Sequence, residues 1–326
     1  MLPLYEPSST KVIFFTLIFG LIFATVFYKN FQKVGHYQSN NFRTIGRNIF
    51  GSQNPALPHL IHANDQWRFE NTNDSIGDCN FIQDTQLFDA LHPETVIGRG
   101  WNKKTLKINQ TAVKKLNLKG VALVQCLNEA GDDFMKEYNC IENAVYKLNK
   151  EVSILLALQH IPNTPKLLAY CIPYDFIADA HKLAIVTDIG TPLDNLFLIQ
   201  SNWETRLQIL HEIIDFMERI QPFILQDLRR QQFMMIDNKP VYIDFDDVTI
   251  EENCPIFNAT DNESCVQVSS NIARRLYEEF VDEFFWLGQP KYAHQHLEEL
   301  KKSYAGNHLD MQTLKYTVKR LNQNLL

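Results

Sequence analysis

The segment 226–247 constrains the fold more than any other part of the chain, because it places acidic residues at fixed positions around two apolar runs. Asp227 precedes the run Phe233–Met235, and the run Val241–Ile243 leads into Asp244. The residues between the runs, Ile-Asp-Asn-Lys-Pro, are typical of a turn, so the runs are predicted to pair as a β-hairpin. An ordinary hairpin with acids on its surface would have the same local pattern, so its meaning depends on the rest of the chain.

Protein kinases have the same layout in their catalytic and metal-binding loops. In that layout one Asp lies beside the substrate hydroxyl, a residue shortly after it helps to hold a metal ion, and a second Asp beyond the hairpin binds Mg²⁺. The pattern therefore assigns Asp227 to the position of the catalytic base and Gln232 to the residue that follows it in the loop. Asp244 takes the position of the metal-binding acid.

Two further kinase elements are expected upstream. Gly98 and Gly100 begin a glycine-rich turn in which backbone amides could approach phosphates, and Lys103 stands where a third glycine often occurs. The apolar run 120–127 is predicted to be the strand that carries the phosphate-binding Lys. At the position of that Lys the chain has Val124, which departs from the kinase pattern.

The remaining elements are a helix and a hinge. Apolar residues at helical spacing predict an amphipathic helix over 144–160, in which Glu151 is the candidate partner of the phosphate-binding Lys. The alternative is an ordinary Glu at the edge of a solvated helix face. The run 182–192 predicts a strand that ends in Gly and Pro, as a hinge between lobes would. Because these segments follow the kinase order, we predict an α+β, bilobal protein-kinase-like fold with an N-lobe over 94–190 and a C-lobe over 191–326.

The segments 97–103, 202–206, 230–233, 244–247 and 251–254 resemble the vertebrate lonesome kinase family, over a region from about residue 94 to the C-terminus. These are divergent protein tyrosine kinases of the secretory pathway, also called the extracellular tyrosine kinases. The resemblance implies that Gln232 and Asp246, which replace the usual Asn and Gly, are family traits. It also implies that a Lys is expected where this chain has Val124, and that the region after Cys265 is shorter than is usual in the family.

A Val at position 124 bears directly on catalysis. Phosphoryl transfer depends on positioning and charge stabilisation, so without the Lys the phosphates of a nucleotide lose a cation and Glu151 loses its partner. The sequence therefore favours a pseudokinase that binds or regulates another luminal protein. The alternative is an active luminal tyrosine kinase that uses ATP with Mg²⁺ or Mn²⁺, in which a nearby amine replaces the missing one, from Lys103, Lys104 or Lys107. A purely structural, membrane-tethered protein is a third class, which would leave the two Asp residues without a role.

Residues 12–28 are almost wholly apolar and are near the lower limit of length for crossing a bilayer. We predict a short cytosolic tail over 1–11, a signal anchor over 12–28, and a stem and lead-in over 29–93, with a cleaved signal peptide as the alternative. Basic residues are more frequent after the apolar segment than before it, which by itself favours the opposite orientation. The family resemblance outweighs this and implies a type II membrane protein of the endoplasmic reticulum or Golgi lumen, or a secreted protein.

Cysteines and glycosylation sequons support a luminal location. The six cysteines are an even number, as in proteins of oxidising compartments, and a disulfide is predicted between Cys254 and Cys265, which flank a short loop. Four sequons begin at Asn73, Asn109, Asn258 and Asn262. The net charge of −7 and the lack of a basic stripe argue against nucleic acid as a partner. We expect instead a luminal protein partner or substrate, and a membrane contact through the N-terminal segment.

Overall fold

A computed structural model describes residues 58, 60–63, 65–70, 72–84, 95–251, 254–257 and 263–323. The described residues all belong to one unit of the chain. The predicted cytosolic tail over 1–11 and the predicted anchor over 12–28 lie outside the described residues. Among the helices that are described, none has both the length and the apolar character needed to cross a membrane.

The first half of the described fold is built on a five-stranded antiparallel sheet. In chain order its strands are β3 (Thr95–Arg99), β4 (Lys103–Ile108), β5 (Thr111–Leu116), β6 (Leu167–Cys171) and β7 (Ala184–Asp188). Their order across the sheet is β3-β4-β5-β7-β6. The strand predicted within 182–192 is therefore confirmed as β7.

Two helices connect β5 to β6. The first, α2 (Val121–Ala130), packs against the second, α3 (Phe134–Leu158), and α3 packs against β5 and β6. The side chain of Asp133 caps α3 by accepting hydrogen bonds from the backbone amides of Met135 and Lys136. The helix predicted over 144–160 is thus confirmed, and it begins ten residues earlier than the apolar pattern indicated.

The strand predicted over 120–127 is wrong, because this run lies almost entirely in α2. A short apolar run fits a buried strand and a helix equally well by periodicity alone. In α2 the buried positions Leu123 and Ala130 lie on the face that meets α3, where a disulfide joins Cys126 to Cys140. Val124 is 40% exposed on this helix. The third strand of the sheet is instead β5, which the two consecutive lysines in its sequence had obscured.

Part of the predicted stem is folded against the sheet. Strands β1 (Leu60–Ala63) and β2 (Gln66–Phe69) form an antiparallel hairpin, and the short helix α1 (Cys79–Asp84) follows. The backbone amide of Trp67 donates to the carbonyl of Ile172 at 2.8 Å, and a disulfide joins Cys79 to Cys171 at the end of β6. These residues of the predicted lead-in thus form regular elements, and their order comes from cross-links to a strand distant in sequence.

Removing this cross-link is expected to destabilise the fold strongly. The Cys79–Cys171 disulfide closes a loop of 92 residues, whereas the Cys126–Cys140 disulfide closes one of 14. Loop-closure entropy then predicts a loss of about 4.5 kcal/mol for Cys79→Ser/Cys171→Ser and about 3 kcal/mol for Cys126→Ser/Cys140→Ser. Denaturant unfolding of both double variants measures the difference. A smaller loss for the first variant would show that the lead-in adds little to the stability of the sheet.

The second half of the described fold is mainly helical. Its elements are β8 (Thr191–Pro192), α4 (Asn195–Gln200), α5 (Trp203–Arg219), β9 (Phe223–Leu225), β10 (Phe233–Ile236), β11 (Lys239–Tyr242), β12 (Val248–Ile250), α6 (Glu263–Leu276), α7 (Ala293–Ala305) and α8 (Met311–Gln323). A π-helical turn over Tyr277–Val281 continues α6. Helix α5 packs against α8 and β11, so the hairpin strand β11 rests on the helical part of the fold.

The predicted hairpin is confirmed, with Phe233 opposite Tyr242 and Ile236 opposite Lys239. Its turn residues Asp237 and Asn238 have φ values of 50° and 62°, in the left-handed region that Asp and Asn tolerate better than most residues. Strand β8 adds to the hairpin as a third strand, giving the order β11-β10-β8. This pairing brings the chain close at Gly190, where a Cβ would lie 2.7 Å from the carbonyl oxygen of Met235.

The remaining strands and the last disulfide hold the segment after the hairpin. Strand β12 pairs with β9, so the chain returns past the residues that precede Asp227. The disulfide between Cys254 and Cys265, predicted from sequence, is confirmed and ties this segment to α6. The described residues thus form a mixed α/β fold, and its division into lobes at residue 190 stays a prediction.

Candidate active site

The centre of the site is a buried ion pair between the sheet and α3. The Lys114 ammonium on β5 lies 2.5 Å from Oε1 of Glu151, and the two side chains are 6% and 0% exposed. The same ammonium also donates to the carbonyl oxygen of Ile243. Removing Glu151 would leave the buried ammonium of Lys114 without its ion-pair partner, which is costly in the interior. Glu151 is therefore a paired interior carboxylate and not an acid on a solvated face.

A second lysine, Lys103, enters the same site from the start of β4. Its ammonium lies 2.5 Å from Oε2 of Glu151, 2.5 Å from Oδ1 of Asp244 and 3.3 Å from Oδ2 of Asp246. Burial opposes its charged form, but the three carboxylates outweigh it and raise the pKa of Lys103 well above its ordinary value. Two ammonium groups and three carboxylates thus share one partly enclosed site.

Asp244 and Asp246 follow β11 and both face Lys103. Phe245 between them faces the interior instead. Phe245 is fully buried and packs edge-on against Tyr242, with ring centroids 5.1 Å apart. Burial favours the neutral acid, but Lys103 and Lys114 hold the pKa of Asp244 below its ordinary range. Burial raises the pKa of Asp246 to about 6, against the charge of Lys103 and together with the charge of Asp244.

Asp227 forms a second cluster. Its Oδ1 accepts from Nε of Arg229 at 2.7 Å, and its Oδ2 accepts from Nη2 of Arg229 at 2.5 Å and from Nε2 of Gln232 at 2.7 Å. Burial acts to raise the pKa of Asp227, but these hydrogen bonds outweigh it and lower that pKa. The bidentate contact with Arg229 fixes the plane of the carboxylate. Asp227 is therefore held ionised in one orientation.

The loop that carries Asp227 is fixed from both sides. The Tyr242 hydroxyl donates to the carbonyl oxygen of Asp227 at 3.0 Å. From the helical side, Nη1 of Arg275 donates to the carbonyl oxygen of Gln226 at 3.1 Å, and the backbone amide of Arg230 donates to Oε2 of Glu279 at 3.1 Å. The orientation of Asp227 thus depends on the hairpin and on α6 with its π-helical extension.

The two clusters are neighbours. The amide of Ile243 donates to the carbonyl oxygen of Gln232 at 2.9 Å, which joins the loop of Asp227 to the residue before Asp244. Hydrogen bonds with Asp227 raise the pKa of Arg229, and the negative charge of Asp244 adds to the shift. An exposed cation, Arg229, therefore lies within electrostatic range of both acids.

The structure brings together some of the residues singled out by sequence and separates others. Lys103, Glu151 and Asp244 meet at one site, and Asp227 contacts Gln232 beside it. Among the two glycines, Gly98 lies in β3, and the amide of Gly100 donates to the carbonyl oxygen of Lys103 at 2.7 Å, closing the turn before β4. The side chain of Gln232 is bonded to Asp227, so its predicted contact with a metal at Asp244 stays a prediction.

Val124 does not belong to this site. It lines a separate surface cleft of about 450 Å³ together with neighbours on and just before α2, namely Lys119, Val121, Gln125, Asn128 and Glu129. Glu151 pairs with Lys103, which the sequence singled out, and with Lys114, which the sequence reasoning missed. A signal was present, because the Asn-Gln dipeptide at 109–110 is a two-residue hairpin turn between β4 and β5 and places a strand directly after the glycine-rich turn.

Comparison with known proteins supports the kinase-like interpretation. No protein-family model matches the chain. The chain is 29% identical over 178 residues to the extracellular tyrosine-protein kinase PKDCC of Homo sapiens, a match that covers 51% of this chain and 34% of that protein. The chain thus matches about a third of the length of this curated relative. A mixed α/β fold in which the Lys114–Glu151 pair adjoins Asp244 is consistent with a kinase-like fold, and similarity to PKDCC points the same way.

Proposed function

We propose that the chain is an ATP-dependent protein kinase of the secretory pathway. The observation that carries the proposal is the buried Lys114–Glu151 ion pair. Lys103 connects Glu151 to Asp244, and Lys114 donates to the carbonyl oxygen of Ile243, the residue before Asp244. The pseudokinase interpretation rested on a missing lysine at Val124 and an unpaired Glu151. Its premise fails, because Val124 lies on α2 and Glu151 has two lysine partners. The proposal therefore takes the active-kinase alternative.

The side chains of the site fit a nucleotide and a divalent cation. Lys114 would contact the α- and β-phosphates, with Glu151 holding its ammonium in place. Gly98 and Gly100 would allow backbone amides to approach the phosphates, and Lys103 would supply a further cation next to them. Carboxylate oxygens such as those of Asp244 are the ligands that Mg²⁺ and Mn²⁺ prefer. The metal would neutralise charge on the phosphates during transfer.

Asp227 would orient the acceptor hydroxyl and receive its proton. Its low pKa keeps the carboxylate ionised, as this role requires, and the bidentate contact with Arg229 holds it in one plane. Gln232 donates to the same carboxylate, so we propose that its main role is to position Asp227. The sequence predicted that Gln232 binds the metal, and its amide oxygen is the atom that would do so. Arg229 is 59% exposed and so remains accessible to negative charge on a phosphate.

The relative and the covalent structure support a proposal for the compartment and the acceptor. PKDCC is named as an extracellular tyrosine-protein kinase, and we propose tyrosine as the acceptor and the secretory pathway as the location. Disulfides at Cys79–Cys171, Cys126–Cys140 and Cys254–Cys265 support an oxidising compartment. We propose further that the chain is anchored as a type II membrane protein through 12–28 or is secreted, and that its partner is a luminal protein and not a nucleic acid.

The sequons provide a direct test of the location. Asn73 and Asn109 are exposed, and Asn109 lies in the turn between β4 and β5. Expression in secretory cells is expected to give a chain whose mobility increases after removal of N-glycans. The increase should become smaller in Asn73→Gln and in Asn109→Gln. A chain that lacks glycans at both Asn73 and Asn109 would contradict the proposed location in the lumen.

Phosphate transfer is tested with the full-length chain purified from secretory cells. The chain is expected to transfer the γ-phosphate of labelled ATP to a random Glu/Tyr copolymer in the presence of Mn²⁺ or Mg²⁺. The Asp244→Asn variant should be inactive, and phosphoamino-acid analysis should find phosphotyrosine. Label confined to serine of the chain itself, with none on the copolymer, would refute the proposed acceptor, and absence of label with either metal would refute the proposed activity.

A second candidate is a regulatory pseudokinase, favoured by one observation. Lys103 lies between Asp244 and Asp246, where its charge opposes a divalent cation. If that ammonium stayed in place, the cleft would be held closed by ion pairs and would serve binding of a luminal partner alone. This candidate predicts neither phosphate transfer nor a stabilising effect of ATP, so the experiments that test the first proposal also decide between the two.

A further inference from the structure

Lys103 is not required to neutralise Glu151. One oxygen of Glu151 already lies 2.5 Å from the ammonium of Lys114, which also comes from an adjacent strand and is buried. The other contacts of Lys103 are with Asp244 at 2.5 Å and Asp246 at 3.3 Å. Without Lys103 these two acids would face each other close to Glu151, with Lys114 near Asp244 and Lys150 near Asp246 as the remaining cations. The charge of Lys103 therefore compensates the two acids that follow β11.

The ammonium takes the place that a metal ion at Asp244 would need. A Mg²⁺ or Mn²⁺ ion binds carboxylate oxygens at about 2.1 Å. With Lys103 2.5 Å from Oδ1 of Asp244, a metal on the same oxygen would lie within about 5 Å of the ammonium. Two cations at that separation repel one another strongly in a partly buried site, where screening by water is weak. Lys103 and a metal ion thus compete for Asp244.

Lys103 and Lys114 differ in their position within the sheet. Lys103 is the first residue of β4 and follows the turn that contains Gly100, whereas Lys114 lies inside β5 between two paired strands. A shift of the first residue of a strand disturbs fewer backbone hydrogen bonds than a shift within the sheet. The turn is also the segment that would approach the phosphates, so a phosphate is the natural new partner for the released ammonium.

We propose that Lys103 is an internal cation that holds the metal site of the nucleotide-free chain and exchanges with the divalent ion when a nucleoside triphosphate binds. The inference rests on the proposed function, in which Asp244 is a metal ligand. Lys103 leaves Asp244 for the phosphates, and the metal takes its place on Asp244. Metal without nucleotide then binds weakly, since no phosphate is present to receive the displaced ammonium. Metal and nucleotide consequently bind with strong positive coupling.

Mn²⁺ binding without nucleotide tests the exchange. The signal of free Mn²⁺ in electron paramagnetic resonance is titrated with the full-length chain, for wild type and Lys103→Gln. We expect Lys103→Gln to bind Mn²⁺ at least tenfold more tightly than wild type, because the competing charge is gone. Lys103→Arg keeps the charge and should bind as wild type does. Lys107→Gln, which removes an exposed charge from the same strand, controls for the net charge and should also match wild type.

Mn²⁺ affinity of Lys103→Gln equal to or weaker than that of wild type would overturn the proposal. If Lys103→Gln fails to unfold cooperatively, wild type alone decides: saturable binding of Mn²⁺ at micromolar concentration without nucleotide would also overturn it. The titration contains no nucleotide, so it fails separately from the proposed function. If wild type transfers phosphate but Lys103→Gln binds Mn²⁺ with unchanged affinity, only the exchange is refuted. If Lys103→Gln binds Mn²⁺ more tightly but wild type transfers no phosphate, only the kinase activity is refuted.

Discussion

Replacing Lys114 by Met is expected to lower phosphate transfer at least 100-fold and to abolish detectable binding of ATP. The substitution removes the cation closest to the proposed α- and β-phosphate position, and it leaves Glu151 with only Lys103 as a partner. Charge stabilisation and positioning supply most of the catalysis of phosphoryl transfer, so the loss of one fixed cation is expected to be severe. The rate of phosphate transfer and the affinity for ATP measure the effect.

Two controls distinguish this role from a general effect of charge or stability. Lys115→Met removes the next lysine of β5, which lies on the opposite face of the strand, and should keep activity within a few-fold of wild type. Val124→Lys in the Lys114→Met background should not restore activity, because position 124 lies on α2 beside a different cleft. Restoration by Val124→Lys would show that the phosphate-binding lysine had been assigned to the wrong element.

Asp227→Asn is expected to lower kcat by about 100- to 10,000-fold, the range for loss of a general base, while the affinity for ATP stays near that of wild type. Asp227 lies outside the cluster of Lys103, Lys114 and Glu151, so its loss should affect transfer more than nucleotide binding. The asparagine keeps the shape of the side chain and can still accept a hydrogen bond from Arg229. Steady-state kinetics with separate values of kcat and of KM for ATP test the expectation.

Asp237→Asn serves as the matched control for this substitution. Asp237 occupies the exposed turn of the hairpin at a φ of 50°, which Asn adopts as readily as Asp. The same chemical change at this position should leave kcat and KM unchanged. If Asp227→Asn lowers kcat and raises KM for ATP by similar factors, Asp227 instead has a structural role in holding Arg229 and Gln232.

The hairpin and the helix of Glu151 could be predicted from the sequence because their signals are local. The turn residues Asp237 and Asn238 fix the register of β10 and β11. Asp227 precedes this hairpin in the chain, and Asp244 follows it. The apolar period of α3 is long enough to be unambiguous, and Glu151 lies within it. The Cys254–Cys265 disulfide was predictable for the same reason, since only a short loop separates the two residues.

Hydrophobicity could not show that the lysine-bearing strand is β5 and that the run 120–127 lies in the helix α2. The run 120–127 has the composition of a buried strand, but it lies in a helix in which Leu123, Cys126 and Leu127 face α3 while Val121 and Val124 are exposed. Strand β5 contains Lys114 and Lys115, which lower its apparent hydrophobicity, although Lys114 is buried by its contact with Glu151. A buried charge is compensated by a partner distant in sequence, and local patterns carry no record of that partner.

The folded part of the lead-in escaped prediction for a related reason. Strands β1 and β2 are short, and their order depends on contacts with the end of β6 and the residues after it, such as the hydrogen bond from Nε1 of Trp67 to the carbonyl oxygen of Tyr174 at 3.1 Å. The Cys79–Cys171 disulfide joins residues that are 92 positions apart. With six cysteines the sequence allows many pairings, so this tie could not be chosen in advance.

The most direct test of the central claim is the thermal unfolding midpoint of the full-length chain with ATP and Mn²⁺ or Mg²⁺. A nucleotide that binds only the folded state stabilises it by about 2.7 kcal/mol at a hundred times its Kd, which corresponds to a rise of about 5 °C or more. We expect this rise in wild type with metal present, and its loss in Lys114→Met and in Asp244→Ala. No rise at millimolar ATP with either metal would contradict the kinase and leave a luminal binding protein.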